Sequence, residues 1–188
     1  MIVRRKTKAR RKALADGDDA PKTSRPKLTE PLGRTEVAEG LRKAAIGYFC
    51  KKRYAGVVEI GVKRWGARRA DLVFINHRGE IIIGEVKSCI ADYRADSKMH
   101  EYLPHCNRLY LVIRNKEWAR IKLKEYPIPD GVGVLVLEPG SGLCRVLKKA
   151  KFRMLDKDVQ LEMFIRMAWA SAPHSRKKGT KRRRVYLE

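Results

Sequence analysis

Long apolar runs are missing from this sequence. None approaches the roughly 20 residues that a membrane-spanning helix needs, so a transmembrane helix is excluded. The basic start is not followed by an apolar stretch, which argues against a secretory signal. Cysteine is scarce: Cys50, Cys89, Cys106 and Cys144 are irregularly spaced and form no C-x-x-C pair. That argues against a structural zinc site and fits a reducing compartment, and His100, His105 and Cys106 match no four-ligand spacing. Also absent are a Walker-type phosphate loop, a G-x-G-x-x-G turn, a G-x-S-x-G elbow and any internal repeat. What remains is 188 residues, 44% hydrophobic and 35% charged, enough for one domain with a real core.

Acid is the other shortage. There are 21 Asp plus Glu against 44 Lys plus Arg, a formal charge of +23. An excess of that size points to a polyanionic partner, most simply nucleic acid. The charge is uneven. Residues 1–27 carry ten Lys or Arg against three Asp, and residues 172–188 carry seven against one Glu. Both ends lack periodic apolar residues and read as basic arms that stay disordered without a partner. The folded domain is expected over 28–171. DNA is the expected partner, with RNA and a second copy of the chain as further candidates and no membrane. The expected location is the cytoplasm, at the nucleoid.

Hydrophobic periodicity organises the middle. Val37, Leu41, Ala44, Ala45 and Tyr48 mark a helix over 35–50, with Thr35 as its cap. Strands are expected at 56–62, 71–76 and 81–87, the last two joined by His77-Arg78-Gly79. A helix is expected over 96–103, capped by Asp96 and closed by Pro104. Then follow a strand at 108–113, a helix at 116–125, a turn at 127–131 and a hairpin at 132–138 and 143–147. Asp156 caps a last helix reaching Ala170, with Val159, Met163, Phe164, Met167 and Ala168 facing inward. This order predicts an α/β fold with a mixed central sheet.

The hairpin at 71–87 carries the chemistry. With residues 77–79 as its loop, Asp71 lies opposite Glu85. Opposed residues share a face, with β-carbons about 4.5–5.5 Å apart. Lys87 is two residues from Glu85 and shares that face, which Val73, Ile75, Ile81 and Ile83 continue toward the turn. Two facing acids repel unless a proton or a cation lies between them. Mg²⁺ or Mn²⁺ suits such a pair, because hard cations prefer carboxylate oxygen and retain water. An adjacent ammonium would orient a bound water, and the set would hydrolyse a phosphodiester. The alternative for the same residues is an ordinary solvated strand end. Glu59, on the preceding strand with Val57 and Gly61 on its face, is a candidate additional acid. Lys63, Arg64, Arg68 and Arg69 surround Trp65 in the loop before Asp71, which suits phosphate contacts and base stacking. Ser88 either caps the turn or touches a phosphate.

Arg68-Arg69-Ala70-Asp71 followed by Gly84-Glu85-Val86-Lys87-Ser88 resembles the PD-(D/E)xK nuclease pattern, with Ala in place of Pro. Ala91-Asp92-Tyr93-Arg94-Ala95-Asp96-Ser97-Lys98, Glu101-Tyr102 and His105-Cys106-Asn107-Arg108-Leu109-Tyr110 resemble the MmcB-type DNA repair family of bacteria. So do Tyr126-Pro127 and Gly131-Val132-Gly133-Val134; the likeness covers about 35–170. Three positions depart from that family: Met99 stands for Trp, Asn107 for Asp and Cys89 for Ser. The resemblance implies a restriction-endonuclease-like αβββαβ core with an added C-terminal hairpin and helix, and a role in DNA repair. It implies Asp71, Glu85 and the Val86 carbonyl as metal ligands and Lys87 as the group that positions water. It also implies an acid from the first helix, Glu36 or Glu39. Lys98 becomes a candidate phosphate contact, with Asp92 and Tyr102 in support; four residues apart on the expected helix, Lys98 and Tyr102 share a face, the alternative being that Tyr102 packs on the sheet while Lys98 turns to water. A metal-dependent DNA nuclease is the expected activity. A binding module with the same fold, using basic surface without cutting, is the alternative.

Overall fold

The computed structural model describes residues 33–63, 68–121 and 127–172. The N-terminal arm, residues 173–188 of the C-terminal arm, Arg64 and Trp65 lie outside the described residues, as does the end of the helix expected over 116–125.

Helix α1, Arg34–Lys51, buries Val37, Leu41, Ala44, Ala45 and Phe49. The stripe continues from Ala45 to Phe49 at helical spacing, so Phe49 is buried and Tyr48 only flanks it. The helix starts one residue before Thr35. Gly33 takes the cap position, and its N–H donates to Glu36 Oε2 at 3.0 Å. Three strands follow: β1, Tyr54–Gly61; β2, Arg69–Asn76; and β3, Ile81–Val86. Helix α2, Ile90–Arg94, and a 3₁₀ segment, Met99–His105, lead to β4, Arg108–Arg114. Helix α3, Asn115–Arg120, precedes β5, Gly133–Leu137, and β6, Cys144–Lys148. Helix α4, Lys157–Ser171, closes the domain, capped as expected by Asp156 Oδ1, which accepts the N–H groups of Asp158 and Val159. Met163 and Met167 are buried in it, but Ala168 faces water.

The helix expected over 96–103 is replaced by two shorter pieces separated by 95–98. Asp96 does not cap a helix; its carboxylate binds the Lys98 N–H and the side chain of Lys87. Pro104 lies inside the 3₁₀ segment rather than after it.

The six strands form one sheet in sequence order. Strand β3 runs parallel to β4 and β4 to β5, whereas β1–β2, β2–β3 and β5–β6 are antiparallel. The result is the expected mixed α/β sheet, consistent with a restriction-endonuclease-like core. Helix α1 covers one face, packing on Leu72, Phe74, Ile82, Tyr110, Val112 and Leu135. The other face presents Val73, Ile83, Leu109, Leu111 and Val134 to Met163 and Met167 of α4 and to Met99 and Tyr102. Asn107 ties the start of β3 to the segment before α4: its Oδ1 accepts the Ile81 N–H at 2.7 Å while its Nδ2 donates to the Arg153 carbonyl at 2.8 Å. An ionised Asp has no donor for the second bond, which gives the Asn at this position a packing reason.

The β2–β3 register agrees with the sequence reading. Leu72 pairs with Gly84, Val73 with Ile83, Phe74 with Ile82 and Ile75 with Ile81. Gly79 closes the turn at φ +78°, its N–H donating to the Asn76 carbonyl at 3.0 Å.

One irregularity was not legible. In β1, Val57 faces the α4 layer and Val58 faces α1, yet Ile60, and Val62 just past the strand, face the α4 layer again. In β2, Leu72 faces α1 and Val73 the α4 layer, yet Ala70 also faces the α4 layer. Pairing stays in step across this point, from Val58–Leu72 to Ile60–Ala70. Alternation therefore slips by one residue in both strands, at the mutually opposed Glu59 and Asp71. Glu59 absorbs the slip with φ +58°, a left-handed conformation that is uncommon outside glycine. The shared face expected for Val57, Glu59 and Gly61 is thereby broken.

Candidate functional site

The site lies where β2 and β3 stop pairing. One step beyond the Leu72–Gly84 pair the register brings Asp71 opposite Glu85. The strands are held there by a side chain: Asp71 Oδ2 accepts the backbone N–H of Val86 at 2.9 Å. Because Asp71 sits at the slip, its other oxygen reaches toward α1, where Arg42 Nη2 stands 3.8 Å away.

Glu85 is the most enclosed acid of the group, its side chain only 8% exposed. Oε1 accepts a bond from Lys87 Nζ at 3.1 Å, whereas Oε2 is buried with no hydrogen-bond partner. Burial, reinforced by the Asp71 charge, pushes its pKa up to about 7, and Lys87 only partly offsets this. Lys87 has a second and closer carboxylate, Asp96 Oδ2, at 2.6 Å. Burial works against its charge, but the bonds to Asp96 and Glu85 outweigh that, so its pKa is raised. Its backbone is fixed as well, with the Lys87 N–H donating to the Val112 carbonyl at 3.0 Å. The Tyr102 hydroxyl donates to the Arg69 carbonyl at 3.0 Å. Its pKa is pushed up by burial and then by the charges of Glu85, Asp96 and Asp71.

Other expected residues are placed differently. Glu36 folds back on the start of α1 and is exposed. Glu39 is half-exposed and pairs with Arg42 at 3.7 Å and Lys43 at 3.8 Å, so it meets Asp71 only through Arg42. Glu59 pairs with Arg69 at 3.2 Å. Arg68 grips Glu101 through two bonds, at 2.7 and 3.1 Å, and Lys63 approaches the same carboxylate at 3.5 Å. The sequence pattern leaves these cations open to phosphate; in the fold Glu101 offsets two of them. Lys98 is exposed while Tyr102 is buried, and in a 3₁₀ segment the four-residue spacing no longer puts them on one face. Ser88 is buried and donates to Asp92, and its carbonyl accepts from Arg114 Nη2 at 3.0 Å. That hydroxyl holds Asp92 below the usual carboxylate range, and Arg34 lies 4.0 Å from it. Ser88 and Asp92 therefore brace each other.

Three residues were missed: Arg42, Asp96 and Glu101. Arg42 follows Glu39 by three positions, a spacing that flags an ion pair but not its reach to Asp71. Beside Asp96 opens a cavity of about 470 Å³ lined by Tyr93, Arg94, Ser97, Met99, Pro127 and Pro129.

The donors fit a hard cation. Asp71 lies near enough for its charge to raise the Glu85 pKa, and one oxygen of Glu85 is buried without a partner, an arrangement that costs free energy unless a proton or cation offsets it. Among the described residues no group of three or more His, Cys, Asp or Glu is gathered as a cage. A cation held by Asp71 and Glu85, with the Val86 carbonyl as a further ligand, would thus take much of its shell from water.

Comparison with known proteins adds a family. A family model described as DNA repair protein MmcB-like matches residues 26–178. Among solved structures, the SPO1766 protein of unknown function from Silicibacter pomeroyi superposes with a TM-score of 0.61 at 21% identity. The match covers 70% of this chain and 83% of that one, and speaks for the fold alone. No curated protein matches the chain.

Proposed function

The chain belongs to the MmcB-like DNA repair protein family, and from that premise we propose that it is a metal-dependent DNA nuclease. The family supports a DNA repair role and DNA as the partner; it gives no support to RNA or to a second copy of the chain. The observation that carries the enzymatic reading is the unpaired, buried Oε2 of Glu85 beside Asp71 and Lys87. Glu117 Oε2, in its pair with Arg114, is also buried without a partner; what sets Glu85 apart is the second acid beside it, Asp71, whose charge adds to burial in raising its pKa.

In this reading Asp71 and Glu85 would hold one Mg²⁺ or Mn²⁺, whose chemistry when bound would be to favour attack by water and to offset charge on the phosphate. Lys87 directs two of its three N–H donors at Glu85 and Asp96. The third is left for the attacking water or a phosphate oxygen as negative charge develops. Arg42 limits the repulsion of the acidic pair toward the substrate. Arg69, Lys98 and the arms supply attraction to the backbone, so affinity falls steeply with salt.

The test is cleavage of supercoiled, single-stranded and branched DNA with Mg²⁺, Mn²⁺ or EDTA. Cutting should need metal and vanish in Asp71→Ala and Lys87→Ala. Cutting that survives both substitutions overturns the site, and binding without cutting on every substrate favours the non-catalytic module.

A further inference from the structure

Resting on the nuclease reading above, we propose that Asp96 is a positioning residue: it draws the Lys87 ammonium off Glu85 and so keeps a Glu85 oxygen open to a divalent cation. Lys87 leaves the end of β3 with its backbone fixed to β4, so only its side chain can choose a partner. Two carboxylates compete for it, and the closer is Asp96, at 2.6 Å against 3.1 Å for Glu85. Both members of the Lys87–Asp96 pair are nearly enclosed, 12% and 13% exposed, so water screens their attraction little.

Asp96 is itself built in. Its Oδ1 accepts the Lys98 N–H at 2.9 Å, and its own N–H donates to the Tyr93 carbonyl at 3.1 Å. The carboxylate is therefore aimed by its backbone, and Oδ2 is left for the ammonium alone. The consequence appears on Glu85, where one oxygen shares the ammonium and the other has no partner. With Asp96 neutral, Glu85 is the carboxylate left on the ammonium among the described residues, and ammonium and metal then compete for the same acid. Asp71 cannot take the place of Asp96, because it is engaged by the Val86 N–H and approached by Arg42.

Asp96→Asn separates the charge from the framework, since the amide oxygen still accepts the Lys98 N–H. With the full-length chain and Mn²⁺ as probe, in the absence of DNA, calorimetry should show affinity about tenfold weaker in Asp96→Asn than in wild type. Lys87→Met removes the competitor and should tighten Mn²⁺ binding, and in that background Asp96→Asn should cost no more than about twofold. On DNA, Asp96→Asn should lower kcat at least about tenfold with KM little changed. Wild-type Mn²⁺ affinity in Asp96→Asn, with wild-type cutting intact, overturns the role of Asp96 and leaves the nuclease reading standing. A full loss that persists in the Lys87→Met background also overturns it, since Asp96 then does not act through the lysine. If Asp96→Asn fails to fold, Lys87→Met alone decides: Mn²⁺ binding that is unchanged or weaker overturns the proposal. A wild-type chain that neither binds Mn²⁺ nor cuts overturns both readings.

Discussion

The two ends of the β2–β3 hairpin are built from similar parts and differ in one respect. At the turn, Glu80 accepts from Arg108 Nε at 2.6 Å, from the Tyr54 hydroxyl at 2.8 Å and from Asn76 Nδ2 at 3.2 Å. Asn76 Oδ1 in turn accepts the N–H groups of Arg78 and Glu80. Both oxygens of Glu80 are used. At the open end, Asp71, Glu85, Lys87 and Asp96 gather in the same way, yet Glu85 keeps a buried oxygen without a partner. The turn end is a closed network that fixes the hairpin. The open end leaves one acid oxygen unmatched beside a second acid, which the proposed nuclease reading assigns to a cation.

The comparison is sharpest under a paired substitution. Asp71→Asn keeps an acceptor for the Val86 N–H but removes charge, so metal-dependent cutting should fall at least about 1000-fold while the melting temperature holds. Glu80→Gln should do the reverse, leaving cutting intact. Equal loss of activity in both would erase the distinction.

A second test uses pH. Glu85 has a folded pKa of about 7, above its ordinary 4.5, so the folded state binds the extra proton between those values. Stability should therefore decline as pH rises from 4.5 through 7. Glu85→Gln removes that penalty and should stabilise the metal-free protein at pH 8, by at most about 3 kcal/mol. The gain should vanish near pH 4.5, and thermal melts at both pH values check it. Glu80→Gln should cost about 1–3 kcal/mol at pH 7, read by urea titration. The smallest change is expected for Tyr54→Phe, about 1 kcal/mol with full activity; its hydroxyl is pushed up to about 12 by burial and then by Glu80, which marks a firm bond at the closed end.

The hairpin register was legible because alternating apolar residues and Gly79 constrain it from both sides. The slip at Glu59 and Asp71 was not, since Glu is not a residue type that announces a left-handed backbone. Asp96 was misread for another reason. An acid before a polar stretch is a strong cap signal, and its true partner lies nine residues back on a different element. Arg68 and Lys63 looked free because a sequence displays charges without their neutralising contacts, here Glu101 on the 3₁₀ segment. Local pattern thus located the strands and the acids, while tertiary pairing decided which cations face outward.

The bond from the Val86 N–H to Asp71 makes one rung of the sheet out of an ionisable side chain. The backbone amide of Val86 is therefore a built-in gauge. Whatever draws the Asp71 carboxylate away, whether a cation or a proton, loosens that rung, and the exchange of a single amide with solvent records the state of the site.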